Sequence, residues 1–473
     1  MYHSQLVETL ESLNLKEMRL FQKFICSPIH NSRRDVIDLF NYLWSKLEDG
    51  KATKLSKEKA FTRVYPGEKY SEKKIRYTMS FLFKALKSFL SYQEMTNDPI
   101  NEQIHLSRAL KKRGLYRIYQ QEIQKCDKNL KQQPLRNIDF HHKNYQLAYE
   151  QFDFFSTQRR KASEDIPIPG DELTIYYIAN ILRFACSTLS LQRVASSDHR
   201  QDLLEEVIDL VEQKHYLNIP AVAIYYYTYK TLTHPENSQY FQSLRQLIRQ
   251  FPFLLPIVEL KNIYHFATNH CIQQVNLGNA DYLKELLNLY KDGLAANVFI
   301  ENKVMGRFTY KNIVMAGLKQ REFDWVEQFI YGYKAYLDER YREATFIFNL
   351  AILHYHQPDY DKAMDLLRGI SFDDVLTDLA ARSTLLKIYF EREEMDALNS
   401  LLDSFKNFIY RHKELGYHKT NYLNLIRFTK KLLNLKTYDR AALQRLQQEI
   451  EQTAALVDKK WLLQQIKIIG KGI

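Results

Sequence analysis

The stretch from Asn349 to Leu367, NLAILHYHQPDYDKAMDLL, constrains the fold more than any other part of the chain. Leu350 and Leu353 fall on one helical face, and Pro358 ends that helix because proline lacks the amide hydrogen that a continuing helix needs. Asp359 is placed to cap the next helix. The buried stripe of that second helix is Ala363, Leu366, Leu367 and Ile370. The pattern predicts a hairpin of two helices.

The order of residues in this hairpin recurs 34 residues later, which is the period of the tetratricopeptide repeat. The recurring pairs are Tyr355 and Tyr389, Ala363 and Ala397, and Leu367 and Leu401. The stretch resembles that repeat at its apolar, small and aromatic positions, which are Leu350, Ala351, Tyr360, Ala363 and Leu367. It departs from the repeat at His354, Pro358 and Val375, and the following copy departs at Thr384, Leu385 and Glu394.

The resemblance implies an all-α fold, with an N-terminal helical domain followed by a right-handed α-solenoid of irregular tetratricopeptide-like hairpins. It also implies a groove, lined by the first helix of each hairpin, that binds a protein or peptide. The positions that match the peptide-contacting positions of the repeat are Lys311, Lys319, Tyr355, His356, Arg382, Tyr389 and Phe390. Their cations suit an acidic partner. In the alternative interpretation, Tyr355 and Tyr389 only pack between repeats.

Charge divides the chain into a basic first third and a neutral remainder. Residues 1–161 carry 30 Lys+Arg against 18 Asp+Glu, whereas residues 162–473 carry 37 against 38. The change coincides with Ile166-Pro167-Ile168-Pro169-Gly170, where two prolines and a glycine favour an extended or turning linker. We therefore predict a basic helical domain at 1–97, basic helical hairpins at 98–165 and the repeat domain at 171–473. The basic excess points to an acidic partner, nucleic acid among the possibilities.

Residues 56–92 have the spacing of a helix-turn-helix. Ser56 caps a short helix that ends at Val64, Pro66-Gly67 makes a turn, and Ser71 caps a long helix. The core stripe of the long helix is Ile75, Met79, Leu82, Leu86 and Phe89. The opposite face carries Lys73, Arg76, Tyr77, Ser80, Lys84 and Lys87, a set that a phosphate backbone would favour. The alternative is an ordinary solvated face, since exposed lysines are common.

The N-terminal segment LKEMRLFQKFICSPIHNSRRDVIDLFNYL is also similar to the start of a group of long, all-helical bacterial proteins. That likeness implies no function. The first residues lack the features of a secretory signal, and the most apolar window, FPFLLPIV, is too short to cross a bilayer. We therefore expect a cytoplasmic protein without a membrane partner.

Motifs for catalysis and for cofactor binding are missing from the sequence. It contains no GxGxxG, P-loop, GxSxG or HExxH pattern. The four cysteines lie far apart, and His141-His142 and His354-x-His356 have spacings at which the two rings of one helix point in different directions. Glu391 and its acidic neighbours are interpreted as a solvated helix end. We predict no enzyme activity, no metal and no cofactor, and an interaction scaffold or, alternatively, a nucleic-acid-associated regulator.

Overall fold

The computed structural model describes residues 3–48, 55–157, 168–192, 201–368, 374–435 and 440–471. These residues form an all-α protein, which confirms the predicted fold class. The strands found among them make one short antiparallel hairpin, Ile300–Glu301 with Val304–Met305. The chain divides into two compact units, residues 1–225 and 226–473.

The first unit is built from helices that pack mainly against their neighbours along the chain. They are α1 (Gln5–Glu11), α2 (Leu15–Cys26), α3 (Arg34–Glu48), α4 (Lys57–Val64), α5 (Glu72–Thr96), α6 (Pro99–Lys112), α7 (Tyr116–Gln132), α8 (Ile138–Thr157), α9 (Pro169–Gln192) and α10 (Leu204–Gln213). A single turn, His215–Asn218, precedes α11 (Pro220–Thr233), which continues into the second unit.

The predicted helix-turn-helix segment forms α4 and α5. Ser56 Oγ accepts a hydrogen bond from the Lys59 amide at 3.2 Å, and Ser71 Oγ accepts one from the Lys74 amide at 3.3 Å. These bonds satisfy amides that have no partner within their own helix. The predicted core stripe of α5 faces inward, with Met79 half-buried and the others buried: Ile75, Leu82, Leu86 and Phe89.

Hydrogen bonds among Arg33, Asp35, Tyr65 and Thr78 connect α3 to α5, and we call these four residues the polar latch. The Asp35 carboxylate accepts hydrogen bonds from Arg33 at 2.6 Å, from the Tyr65 hydroxyl at 2.5 Å and from the Thr78 hydroxyl at 3.2 Å. Partial burial opposes ionisation of this carboxylate, but the hydrogen bonds from Arg33 and Tyr65 outweigh it and lower the pKa of Asp35 to about 2. Asp35 therefore stays ionised at neutral pH and continues to accept these three hydrogen bonds.

Buried ion pairs hold α6 to α8. The buried Glu150 carboxylate lies 2.7 Å from Arg108 Nε and 2.5 Å from Lys111 Nζ. Lys143, also buried, contacts Asp98 and Asp139 at 2.6 Å each. Part of the positive charge of the first third is therefore paired with carboxylates inside the unit and is not exposed on its surface.

The second unit contains helices α12 (Ser238–Gln250), α13 (Ile257–Asn276), α14 (Asp281–Ala295), α15 (Arg307–Lys319), α16 (Phe323–Tyr333), α17 (Arg342–His356), α18 (Tyr360–Arg368), α19 (Val375–Glu391), α20 (Met395–Arg411), α21 (Tyr417–Leu433), α22 (Arg440–Gln452) and α23 (Lys459–Lys471). Most of them pack on the helices next to them in sequence, and α15 also packs on α17, α17 on α19 and α21 on α23. This pattern of neighbouring contacts defines an α-solenoid of helical hairpins.

The spacing of the hairpins is irregular. Helices α15, α17, α19, α21 and α23 begin at residues 307, 342, 375, 417 and 459, so the intervals are 35, 33, 42 and 42 residues. The strand hairpin lengthens the interval before α15, and a single turn at Lys413–Leu415 lengthens the one before α21. Small residues allow close packing within a hairpin: a Cβ on Gly317 of α15 would lie 2.4 Å from Val326 of α16.

The predicted linker is only partly described. Ile166 and Pro167 lie outside the described residues, as do Ile370 of the predicted hairpin stripe and the basic residues 159–161. Pro169 and Gly170 form the first turn of α9, where proline fits because no helical hydrogen bond needs its nitrogen. The predicted domain limits remain a prediction. The chain divides into its two compact units between residues 225 and 226, which is after the predicted linker. In the described part of the chain, no helix has the length and apolar character needed to cross a membrane.

Candidate functional site

Five cations from four helices of the second unit are linked by electrostatic interactions, Lys311 through Asp458, which also contacts Lys387. They are Lys311 and Lys319 of α15, His356 of α17, Lys387 of α19 and Lys460 of α23. We call these residues, together with Tyr355, Glu391, Asp458 and Trp461, the inner-helix cluster. The cluster contains four of the seven residues predicted for the partner groove: Lys311, Lys319, Tyr355 and His356.

The centre of the inner-helix cluster is the Glu391 carboxylate. It accepts hydrogen bonds from the Tyr355 hydroxyl at 3.0 Å, the Tyr360 hydroxyl at 2.6 Å and the Trp461 indole nitrogen at 2.6 Å. Burial and the adjacent carboxylate raise the pKa of Tyr355 far above its ordinary value, so its proton stays on the hydroxyl. The prediction that Glu391 is a solvated helix end was wrong, because contacts from distant helices half-bury this side chain.

Asp458 brings the connection between α22 and α23 onto α19. Its carboxylate accepts a hydrogen bond from the Ser383 hydroxyl at 2.5 Å and lies 3.2 Å from Lys387 Nζ. The backbone of Asp458 is in the left-handed region, with φ of 52°, which is costly for most non-glycine residues. The chain thus places a carboxylate of its own on one lysine of the inner-helix cluster.

The other lysines of the cluster are less completely paired. Among the described residues, no carboxylate lies within 4 Å of Lys311, Lys319 or Lys460. Burial lowers the pKa of Lys311, although Asp374 and Asp458 partly offset this. Lys319 is exposed, yet loss of part of its surrounding water and the nearby Lys460 both lower its pKa. The site therefore holds positive charge that its own carboxylates do not fully compensate.

His356 responds to the same crowding. Burial lowers its pKa first, and the neighbouring Lys387 and Lys319 lower it further, while Glu391 acts in the opposite direction. The ring lies 5.6 Å from the Tyr355 ring in an edge-on arrangement. An anion bound here would favour the protonated imidazole, since it would offset the two lysines.

The remaining three predicted groove residues have different surroundings. Arg382 pairs with Asp378 at 2.9 Å and stacks on Phe408 of the neighbouring α20. Tyr389 is buried, and its hydroxyl accepts hydrogen bonds from Arg368 of α18 at 2.9 and 2.6 Å, so it packs against the preceding hairpin. Phe390 lies edge-on to Trp461 at 5.4 Å and borders the cluster.

Sequence reasoning missed Lys387, Glu391, Asp458, Lys460 and Trp461. Ser383, Lys387 and Glu391 recur every fourth residue and so share one face of α19, a signal that was available. No comparable signal exists for Asp458 and Trp461, because their contacts join positions 70 to 75 residues apart.

The second predicted surface lies on α5. All five predicted residues are exposed: Lys73, Arg76, Tyr77, Lys84 and Lys87. They follow one stripe that spans about 21 Å, from the helical rise of about 1.5 Å per residue. Arg76 Nε lies 3.2 Å from Glu72, and Lys87 lies over the Phe83 ring at 4.9 Å. We call this stripe the α5 face.

Some other basic residues of the first third already have partners. Lys111 contacts Glu150 and Asp153, and Arg113 donates to the Ala109 carbonyl at 2.9 Å.

The described residues contain no group of three or more histidine, cysteine or acidic side chains that could hold a metal ion.

No protein-family model matches the chain, and no curated protein matches its sequence. One solved structure that aligns with it is the human IFIT1 dimer with PPP-AAAA, over 92% of this chain and 96% of that chain, with 12% identity and a TM-score of 0.28. A likeness this weak supports no conclusion about this chain.

Proposed function

We propose that the protein is a non-enzymatic interaction scaffold whose inner-helix cluster binds an acidic segment of a partner protein. The observation that carries the proposal is a group of five cations from four helices: Lys311, Lys319, His356, Lys387 and Lys460. Among the described residues, no carboxylate lies within 4 Å of Lys311, Lys319 or Lys460.

Charge repulsion supports this proposal. Lys460 lies close enough to lower the pKa of Lys319, and Lys387 and Lys319 lie close enough to lower that of His356, so these cations repel one another and an incoming carboxylate offsets that repulsion. The contact of Asp458 with Lys387 and Ser383 illustrates the chemistry, since a lysine and a hydroxyl together hold one carboxylate. An acidic segment could place similar carboxylates on Lys319 and Lys460.

Aromatic side chains at the cluster supply contact area. Phe390 is half-buried beside Trp461, and Tyr355 lies under Lys387 with 5.0 Å between the ammonium and the ring centre. Aromatic anchors flanked by cations are typical of sites that bind peptides.

The experiment is a binding titration with the full chain. An array of acidic peptides of about 12 residues identifies a binder, which is then labelled and titrated by fluorescence anisotropy. Lys319→Glu combined with Lys460→Glu should weaken binding at least tenfold, because both lysines lose attraction and the new carboxylates repel the peptide.

Lys406→Glu is the matched control, because Lys406 is an exposed lysine on the outer helix α20 of the same unit. It makes the same charge change and should leave the affinity unchanged. The proposal is refuted if every binder from the array has the same affinity for the double variant and for the wild type, or if the array contains no binder.

The second candidate function is binding of a nucleic-acid backbone by the α5 face. The observation in its favour is that Lys73, Arg76, Lys84 and Lys87 are all exposed on one stripe, with a single ion pair, from Arg76 to Glu72, among the described residues. The stripe carries no asparagine or glutamine positioned to read a base edge, so any contact would be with phosphate.

Salt dependence tests this second function. Four phosphate contacts predict that a fourfold increase in salt lowers the affinity for duplex DNA or RNA roughly 100-fold. Lys73→Glu with Arg76→Glu should abolish the binding, whereas Lys125→Glu with Lys128→Glu on α7 should preserve most of it. Flat titrations with DNA and RNA at low salt would eliminate the idea.

A further inference from the structure

The second unit contains a cleft of about 1070 Å³ between α12 and α14, and Gln320, which follows α15, also lines it. No residue of the inner-helix cluster lines it. Its volume is slightly above the usual range of ligand pockets, about 300–1,000 Å³.

A ladder of glutamines follows the α12 wall of the cleft. Gln242, Gln246 and Gln250 are four residues apart, exposed, and make no side-chain hydrogen bond within the described residues. Each amide offers both a donor and an acceptor, which is what a peptide backbone requires.

The spacing of the ladder matches an extended chain. Four residues of helix advance about 6 Å. Two residues of extended peptide advance about 6.6 Å. Three amides on one helix can therefore bond to every second residue of a peptide lying along α12, with a mismatch of only about 1 Å over the ladder.

Arg245 lies between the glutamines and is buried, with its side chain only 6% exposed. Its Nη2 donates to Asp292 at 2.5 Å, but Nε and Nη1 have no hydrogen-bond partner in the described residues. The nearest other carboxylate oxygen, on Glu285, is 3.6 Å from Nε and too distant for a hydrogen bond. Buried donors without acceptors are costly, and a carbonyl or carboxylate brought by a ligand would remove that cost.

Charge at the cleft selects among ligands. Arg249 and Lys284 line it and are exposed; Arg249 Nε lies 3.4 Å from Asp292, whereas no described carboxylate lies within 4 Å of Lys284. Asp281 and Glu285 also line the cleft, so a multiply charged anion such as phosphate would meet repulsion. A peptide with one acidic side chain meets the cations while its neutral backbone faces the glutamines.

We propose that the cleft between α12 and α14 binds an extended peptide segment of a partner protein, with an acidic side chain directed to Arg249 and Lys284. The site is separate from the inner-helix cluster, and each can exist without the other.

The test uses the full chain and the array of acidic peptides of about 12 residues described above, each peptide paired with its amide counterpart. Gln242→Ala combined with Gln246→Ala and Gln250→Ala should weaken the cleft binders at least tenfold. Gln239→Ala is the matched control, since Gln239 is an exposed glutamine of α12 that does not line the cleft. Arg249→Gln with Lys284→Gln should remove the preference for the acidic peptide over its amide counterpart.

Cleft binders should keep their affinity for the Lys319→Glu, Lys460→Glu variant, which separates this proposal from the function of the inner-helix cluster. Binders that respond only to those lysines would overturn the cleft proposal and leave the cluster intact. An array without a binder that responds to the glutamine variant, or displacement of the peptide by inorganic phosphate at equal concentration, would also overturn it.

Discussion

The α5 face and the inner-helix cluster are both rich in lysine, but their surroundings differ. On α5 the cations are exposed to solvent along one helix, and none of the described helices covers them. In the cluster, cations from four helices lie near one another, with Asp458 beside Lys387 and Glu391 near His356, and burial lowers the pKa of Lys311 and His356.

This difference determines how each surface can act. Charges in water are screened over about 8–10 Å at moderate salt, so the α5 face can attract an extended polyanion but discriminates little between partners. Partly dehydrated charges interact more strongly and over fixed distances. The cluster is therefore suited to recognising where the carboxylates of a partner lie.

The largest predicted effect on stability concerns Trp461, because its hydrogen bond to Glu391 joins α23 to a helix 70 residues earlier in the chain. Trp461→Ala should lower the free energy of unfolding by about 3–5 kcal/mol, since it removes a buried ring and the hydrogen bond to Glu391. Urea unfolding followed by circular dichroism measures this loss. Trp461→Phe keeps the contact with Phe390 and should cost less. An unchanged midpoint for the alanine variant would show that the cluster does not hold α23 in place.

The corresponding change in the first unit is Asp35→Asn, which breaks the latch between α3 and α5. Its cost should be about 1–3 kcal/mol, because Arg33 and Tyr65 lose their charged acceptor. The pKa of Asp35 is lowered from 3.8 to about 2, so its contribution is complete above pH 3.8 and declines as the pH falls towards 2. Asp38→Asn on the same helix is the control. A difference between Asp35→Asn and wild type that persists unchanged at pH 2 would contradict this assignment.

A smaller effect is expected from His356, whose pKa lies below its ordinary value of 6.5. The unfolded chain then takes up a proton that the folded cluster resists, so stability should decrease as the pH falls below 6.5. His356→Gln should reduce the fall in Tm between pH 7.5 and pH 5. Burial and the neighbouring Lys261 also lower the pKa of His265. The part of the fall in Tm that comes from His265 should therefore remain in the variant. Identical pH profiles for variant and wild type would mean that neither burial nor the neighbouring lysines lower the pKa of His356.

The smallest effect on stability is predicted for Lys84→Gln with Lys87→Gln on the α5 face. Exposed side chains contribute little, so the free energy of unfolding should change by less than about 0.5 kcal/mol. If the face binds nucleic acid, the same variant should bind more weakly and with a shallower salt dependence. A large loss of stability would show that the face is structural, and the contrast with the inner-helix cluster would fail.

Local patterns predicted the parts of the fold that depend on local physics. The caps at Ser56 and Ser71 and the stripe from Ile75 to Phe89 follow from the helical period and from unpaired amides at helix ends. The hairpin at Asn349–Leu367 begins its second helix at Tyr360, next to the predicted cap.

The candidate site was predictable only in part, because it depends on contacts between distant segments. Lys311 and His356 were named from the repeat, whereas Asp458 and Trp461 reach α19 across several hairpins. Tyr389 shares the sequence position of Tyr355 one repeat later, yet Arg368 caps its hydroxyl and burial removes it from any surface. The charge excess of the first third could not show that Lys111 is bound to Glu150.

The most direct measurement is hydrogen–deuterium exchange of the full chain with and without a saturating acidic peptide selected for the inner-helix cluster. We predict slower exchange in residues 307–319, 342–356, 375–391 and 459–471, with no change in α5, and loss of that protection in the Lys319→Glu, Lys460→Glu variant. Protection confined to α5, or none in the four cluster helices, would contradict the assignment of the inner-helix cluster as the partner site.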